Sequence, residues 1–107
     1  MNFISLSIEE SVQIIIEGAI IIDVREQSEY EQSHLEGSVL IPLSELTANR
    51  IEEINQNKKE IIIYCRSGNR SKIAASKLIG QNYTGKIYEI NDGITGWINE
   101  NQPVSPK

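Results

Sequence analysis

The sequence predicts an α/β fold with a doubly wound, mostly parallel central sheet of about five short strands and helices on both faces. Short β-branched apolar runs, such as residues 19–23 and 60–65, alternate with segments whose apolar residues recur at helical spacing. Parallel neighbours need crossover connections, and these connections place helices on both faces of a sheet. At 107 residues the chain is long enough for one domain and too short for two.

Composition and charge argue against several classes of protein. No window approaches the roughly 18 consecutive apolar residues of a membrane helix, and the amino terminus lacks the pattern of a secretory signal. A single cysteine cannot form an internal disulfide, so we expect a cytoplasmic protein. Residues 1–57 carry a net charge of −9 and residues 58–107 a net charge of +4. This balance argues against nucleic-acid binding but permits a local anion site.

Local signals define the first helices. A capping box formed by Ser7 and Glu10, followed by an apolar stripe, predicts a helix over about 8–17 that ends at Gly18. A second capping-box match at Ser28–Glu31 predicts a brief helical turn after the strand at 19–23.

The later elements continue the alternation. The sequence predicts a strand at 38–42, a helix capped near Ser44, a strand at 60–65, a helix over 71–81, a strand at 86–90 and a last short helix that contains Trp97. We expect the first few residues and the tail at 99–107, which holds two prolines, to be loose ends.

The only cysteine lies where the most apolar strand meets a helix. In doubly wound folds, ligands bind beyond the carboxyl ends of the strands. Gly and Asn tolerate positive φ, so the loop amides can point inward and form an anion-binding nest, and the helix dipole acts at the same place. We predict that Cys65 is a nucleophile, since such surroundings favour the thiolate. The predicted anion-binding loop comprises Arg66, Ser67, Gly68, Asn69 and Arg70.

Structural roles compete with functional ones at several positions. A free cysteine is often a small buried hydrophobe, and we expect Lys72 to face outward on its helix. Asp23 either accepts hydrogen bonds from the loop, caps a turn or pairs with an arginine. Arg25 and Glu29 are four residues apart, so we expect a local ion pair. The only histidine, His34, does not make a metal site with one distant cysteine, so we predict a structural role for it and no metal.

The loop and the helix after it resemble those of the rhodanese-like sulfurtransferases, through Cys65, Gly68, Arg70 and Ser71. The segment DVREQSEYEQSHLEGSVLIP, residues 23–42, is similar to the upstream signature of that family. The segment INDGITGW, residues 90–97, resembles its closing segment. The resemblance covers about residues 5–103, so a single rhodanese-like domain is expected over 1–107.

Three positions depart from the family's pattern. Asn82 stands where glycine is frequent, Asp92 replaces the first of two glycines, and SHLEGS at 33–38 varies the usual run. Asn and Asp are the non-glycine residues that most readily take left-handed conformations, so we expect the fold and the loop to be unaffected.

The resemblance implies a sulfurtransferase mechanism. The Cys65 thiolate would take the outer sulfur of a donor such as thiosulfate, or of a protein persulfide, and pass it to cyanide or a thiol. Arg66 and Arg70 would orient the anionic donor. The supporting residues would be Ser71, Asp23 and Arg25. No cofactor, nucleic acid or membrane is implied.

Three other functions stay open at this point. A cysteine phosphatase would use the same kind of loop, but such loops place five residues between Cys and Arg, whereas four separate Cys65 from Arg70. A sulfur carrier would receive its sulfur from a protein donor. A noncatalytic interaction module would keep the fold without the chemistry.

Overall fold

Five parallel strands form the central sheet of the protein, which a computed structural model describes over residues 2–106. These five are β1 (Ile4–Leu6), β2 (Ile20–Asp23), β4 (Val39–Leu40), β5 (Ile61–Tyr64) and β6 (Ile87–Ile90), and a separate pair is formed by β3 (His34–Leu35) and β7 (Val104–Ser105). The helices are α1 (Ile8–Ile16), α2 (Gln27–Gln32), α3 (Ala48–Ile54), α4 (Asn69–Gly80) and α5 (Gly93–Asn99). The order in the sheet is β1-β6-β5-β2-β4, and every pairing is parallel. The predicted parallel α/β sheet is confirmed.

Alternate residues of β5 enter two separate cores, one on each face of the sheet. Ile61 and Ile63 pack with residues of α3 and α4, and Ile62 and Tyr64 pack with residues of α1 and α5. All four side chains are buried. This burial explains why the strand reads as an uninterrupted apolar run, and it confirms the doubly wound arrangement.

The first helix begins and ends as predicted. Ser7 Oγ accepts a hydrogen bond from the Glu10 amide at 3.1 Å, and the Ser7 amide donates to Glu10 Oε1 at 2.9 Å. Gly18, just beyond the helix, has a φ of +108°. The capping box therefore satisfies two backbone donors that the helix leaves free.

The next two helix caps differ from the prediction. The prediction of a capping box at Ser28–Glu31 is wrong. Helix α2 is capped by Glu26, whose amide donates to Glu29 Oε1 at 3.0 Å. The helix expected to be capped near Ser44 is also displaced. A 3₁₀ turn occupies that place, and α3 is capped by Thr47, whose hydroxyl accepts from the Arg50 amide at 3.0 Å.

Within residues 2–106, both terminal segments contain a paired strand and are not loose as expected. Strand β1 pairs with β6 at one edge of the sheet, and β7 pairs antiparallel with β3. Trp97 Nε1 donates to the Pro103 carbonyl at 2.8 Å, which ties the tail to α5. Strands of two or three residues are too short for an alternating pattern to be read from sequence.

The two unusual positions after α4 and β6 behave differently from each other. Asn82 takes the expected left-handed conformation, with a φ of +63°. Asp92 does not, since its φ is −96°, and Gly93 makes the left-handed turn with a φ of +61°.

In the part of the chain that the structure describes, no helix has the length and apolar character needed to cross a bilayer.

Candidate active site

Cys65 follows β5 at the carboxyl edge of the sheet and lies at the base of the loop that leads into α4. Its Sγ accepts hydrogen bonds from the amides of Gly68 at 3.2 Å and Ser71 at 3.3 Å. The residue is 1% exposed. Because α4 begins at Asn69, both amides belong to the helix start, where backbone donors lack partners and the dipole is positive. The sulfur therefore accepts two backbone hydrogen bonds at the positive end of the α4 dipole.

The turn between β6 and the start of α5 is hydrogen-bonded to the backbone of the loop that follows Cys65. The Cys65 carbonyl accepts from the Ile94 amide at 2.9 Å, and the Arg66 carbonyl accepts from the Thr95 amide at 3.1 Å. Gly68 has a φ of +105°, and a Cβ there would overlap the carbonyl oxygen of Asn91. Glycine is needed at this position for its conformation and for the close approach of the two turns.

Arg70 is held by an acid from a distant helix. Its guanidinium donates to Glu29 Oε1 at 2.7 Å and to Oε2 at 2.9 Å. These hydrogen bonds hold the pKa of Glu29 at about 2 and raise the pKa of Arg70. The expected Arg25–Glu29 pair is wrong, because Arg25 precedes α2 instead of lying on it and turns to Asp23.

Asp23, Arg25 and Tyr64 form a buried network beside the loop. Arg25 Nη2 donates to Asp23 Oδ2 at 2.8 Å and to the Ser33 carbonyl at 2.7 Å. The Tyr64 hydroxyl donates to Asp23 and accepts from the Leu35 amide at 3.1 Å. Burial, then the charge of Asp23, raises the pKa of Tyr64. Among the described residues, no hydrogen bond or ion pair joins Asp23 or Arg25 to the loop, so they support it only through the strand ends.

The remaining loop side chains differ in exposure. Arg66, Ser67 and Asn69 are exposed, whereas Gly68 between them is buried. The Lys72 side chain is 41% exposed, in keeping with the expected outward position, but its end does not extend into solvent. Its Nζ turns back to the Gly68 carbonyl at 3.3 Å.

Glu89 is a buried acid that the sequence analysis missed. It lies on β6, has no exposed surface, and accepts a hydrogen bond from Ser71 Oγ at 2.6 Å. Ser71 Oγ lies 3.6 Å from Cys65 Sγ. The sequence offered a partial signal, an acid near the carboxyl end of the strand predicted at 86–90. The order of the sheet, which places β6 beside β5, brings that acid to the edge that holds Cys65.

Comparison with known proteins identifies the family. A family model described as a rhodanese-like domain matches residues 7–100. The chain belongs to the rhodanese-like domain family. The resemblance inferred from the loop and its flanking segments is thereby confirmed.

Relatives within the rhodanese-like family include proteins named for sulfur chemistry. The chain is 31% identical over 88 residues to a sulfurtransferase of Allochromatium vinosum, covering 82% of this chain and 79% of that protein. It is 43% identical over 77 residues to YrkF of Bacillus subtilis, whose name proposes a sulfur carrier. That match covers 72% of this chain and 40% of YrkF. Several of the curated relatives that it matches are longer proteins, of which the chain spans 20% to 62%.

A solved rhodanese-related structure has the same architecture. The protein from Thermoplasma volcanium superimposes with a TM-score of 0.81 at 28% identity, covering 98% of this chain and 100% of the other. The arrangement of sheet and helices described above is therefore the rhodanese-like one.

His34 makes local contacts within this rhodanese-like domain. Its Nδ1 lies 2.8 Å from the Tyr30 carbonyl, and the two rings stack with centroids 3.7 Å apart. Within residues 2–106, no group of three or more His, Cys, Asp and Glu side chains is arranged to hold a metal ion. The acids near Cys65 are occupied by the cation and hydroxyl partners named above.

Proposed function

We propose that the protein is a rhodanese-type sulfurtransferase that carries a sulfur atom on Cys65. The observation that carries the proposal is the pair of amides, from Gly68 and Ser71, that point at Sγ where α4 begins. Preorganised donors of this kind stabilise an anion at a fixed position. They suit the Cys65 thiolate and the persulfide anion that forms on the same sulfur. Relatives named as sulfurtransferases support the same chemistry.

The reaction takes place in two transfers. The Cys65 thiolate attacks the outer sulfur of thiosulfate, a sulfur–sulfur bond to the enzyme forms, and the bond inside thiosulfate breaks with its electron pair on the departing sulfite. The enzyme then carries a persulfide anion. Cyanide or a thiolate attacks the terminal sulfur, and the Cys65 thiolate leaves. Charge and atoms balance in each step without a cofactor.

The two loop arginines have different roles in this proposal. Arg70 forms two hydrogen bonds with Glu29, so it shapes the loop and contributes its charge at a distance. Arg66 is exposed and follows Cys65 directly in the chain, so its guanidinium is free to attract and orient an anionic donor. This assignment gives donor binding mainly to Arg66.

Steady-state kinetics with thiosulfate and cyanide test the proposal through the formation of thiocyanate. A covalent intermediate predicts parallel double-reciprocal lines, and Cys65→Ser should abolish the reaction. Arg66→Ala should raise the KM for thiosulfate about 3- to 10-fold and leave kcat nearly unchanged, because it removes binding that is uniform along the reaction. Arg50→Ala, at an exposed position of α3, is the matched control and should change neither constant. Intersecting lines, or turnover by Cys65→Ser, would contradict the proposal.

A sulfur carrier is the second candidate function. It is favoured by the pairing of Arg70 with Glu29, which leaves fewer cations for a small anion, and by the similarity to YrkF. A purified protein bearing a cysteine persulfide provides the test donor. Rapid sulfur transfer from that protein, together with a KM for thiosulfate too high to measure, would favour the carrier over the thiosulfate enzyme.

Two further alternatives have direct tests. The four-residue spacing between Cys65 and Arg70 argues against a cysteine phosphatase. Hydrolysis of an aryl phosphate above the level of Cys65→Ser would reverse that choice. Failure of Cys65 to accept sulfur from either thiosulfate or a protein persulfide would favour a noncatalytic interaction module.

A further inference from the structure

A line of three buried side chains runs from the cysteine into the protein. Cys65 Sγ lies 3.6 Å from Ser71 Oγ, and Ser71 Oγ lies 2.6 Å from Glu89 Oε1. All three residues are at most 1% exposed. A buried carboxylate is costly unless it is paired or takes up a proton. Glu89 is linked to Cys65 through the single hydroxyl of Ser71, so the protonation states of the three groups depend on one another.

The hydroxyl of Ser71 has one proton and three neighbours: Cys65 Sγ, Glu89 Oε1 and the Gly68 carbonyl oxygen, which lies 3.1 Å away. A serine hydroxyl donates one hydrogen bond and accepts up to two. When Glu89 is ionised, the short contact at 2.6 Å takes the hydroxyl proton. Ser71 Oγ can then only accept from the sulfur, which requires Cys65 to be a thiol. The carboxylate therefore matches a protonated cysteine.

The thiolate requires the opposite arrangement. Ser71 Oγ can donate to a thiolate only when Glu89 is protonated and itself donates to Ser71. A thiolate together with an ionised Glu89 would leave three acceptors, counting the Gly68 carbonyl, facing one hydroxyl proton. It would also place two negative charges close together in a buried site, and each would disfavour the other. The geometry thus couples the protonation of Cys65 to that of Glu89.

The charged groups that face this line come from α4. Lys72 Nζ lies 3.2 Å from Glu89 Oε2, although it is not aligned for a hydrogen bond to that oxygen. It stabilises the ionised carboxylate while Cys65 is a thiol. Arg70 acts on Cys65 from the same helix, but its guanidinium is paired with Glu29. The residues next to Glu89 in the sheet are uncharged: Ser5 and Ile63.

We propose that Glu89 accepts, through the Ser71 hydroxyl, the proton that leaves the Cys65 thiol. This inference rests on the proposed function, in which the Cys65 thiolate is the nucleophile. The S–H bond breaks and its electron pair stays on sulfur. That proton passes to Ser71 Oγ while the Ser71 hydroxyl proton passes to Glu89 Oε1, so no proton is released to solvent. Glu89 then holds the proton while Cys65 is a thiolate or a persulfide anion, and acts as a positioning residue.

The pH dependence of the thiolate tests the proposal. Ultraviolet absorbance, corrected with the spectrum of Cys65→Ser, measures the thiolate without a sulfur donor. Cys65 and Glu89 share one proton in the wild type. The fraction of Cys65 present as thiolate should therefore change less than about twofold over the pH range in which that proton is shared. In Glu89→Gln the thiolate fraction of Cys65 should fall about tenfold for each unit by which the pH is lowered on the acid side of its titration, as for a single isolated group. Glu60→Gln, at the opposite end of β5, is the matched control and should follow the wild type.

Infrared difference spectra test the location of the proton directly. The carbonyl band of a protonated carboxyl should be present in the reduced wild type, should disappear when Cys65 is alkylated with iodoacetamide, and should be absent from Glu89→Gln. Ser71→Ala removes the hydroxyl that connects Cys65 to Glu89, so its thiolate should depend on pH as steeply as in Glu89→Gln. Circular dichroism checks that this variant is folded. Wild-type and Glu89→Gln profiles of the same shape, or a thiolate without the band, would overturn the proposal.

Failure of this inference can be told apart from failure of the proposed function, because neither measurement uses a sulfur donor. A wild type that shows the band but takes no sulfur from thiosulfate would contradict the enzyme activity and leave the proton transfer in place. A wild type that forms the persulfide without the band would overturn only the role of Glu89. A Glu89→Gln protein that is less stable but has an unchanged profile would show that the residue is structural.

Discussion

The ion pair between Arg70 and Glu29 should make the stability of the protein depend on acid pH. Glu29 lies on α2 and Arg70 on α4, so the pair joins two helices that are far apart in sequence. Glu29→Gln keeps the shape of the side chain and removes its charge. We expect this substitution to weaken the attachment of α2 to the loop around Cys65.

The magnitude follows from the pKa of Glu29. Folding lowers this pKa from 4.5 to about 2, mainly through the hydrogen bonds from Arg70. The whole shift corresponds to about 3 kcal/mol. The Arg70 and Glu29 side chains are 33% and 28% exposed, and solvent screening reduces the contribution to about 1–2 kcal/mol. A carboxyl whose pKa is lowered by folding stabilises the folded state fully above its unfolded value of 4.5, and that stabilisation is lost as the pH falls toward 2.

Urea unfolding followed by the fluorescence of Trp97, the only tryptophan, measures the effect. At about pH 7, Glu29→Gln should unfold with a free energy about 1–2 kcal/mol lower than the wild type, and at about pH 3 the difference should shrink by half or more. The control is Glu31→Gln on the same helix, an exposed acid that accepts only from the side chain of Gln27. A difference that is the same at both pH values, or equal in the control, would refute the reasoning.

Two further substitutions test the loop and the network beside it. Gly68→Ala should cost more than the roughly 1–2 kcal/mol of a left-handed alanine and lower kcat/KM at least about tenfold, because its Cβ overlaps the turn after β6. Gly18→Ala has a similar φ in open space and should show the conformational cost alone, with unchanged turnover. Tyr64→Phe should lower the free energy of unfolding by about 1–3 kcal/mol, because it leaves the buried Leu35 amide without its acceptor. The Tyr83 hydroxyl has no hydrogen-bond partner among the described residues, so Tyr83→Phe should change the free energy of unfolding little. Equal losses in Tyr64→Phe and Tyr83→Phe would contradict this account.

The sheet and the position of Cys65 could be predicted because their signals are local. The apolar run at 61–64 is buried on both faces, and a cysteine directly after it must lie at the functional edge of a parallel sheet. The capping box of α1 is equally local, since its two side chains are three residues apart. Strands β1 and β7 escaped prediction because two or three residues carry no readable period.

The partners of the polar side chains could not be predicted because they are brought together by the fold. Arg70 and Glu29 are 41 residues apart, and spacing alone pointed to Arg25 as the partner of Glu29. Lys72 was expected to face outward from its position on the helix, but its long side chain reaches back over the loop. Glu89 became visible as part of the site only when β6 was known to lie beside β5.

The central claim is that Cys65 accepts a sulfur atom from thiosulfate and returns it to an acceptor, and intact mass spectrometry tests it most directly. The reduced protein is incubated briefly with thiosulfate beside Cys65→Ser, and both are then treated with cyanide. The account predicts a gain of the mass of one sulfur atom in the wild type, its loss on adding cyanide, and no gain in the variant. A wild type that gains no sulfur from thiosulfate, or a variant that gains it equally, would contradict the claim.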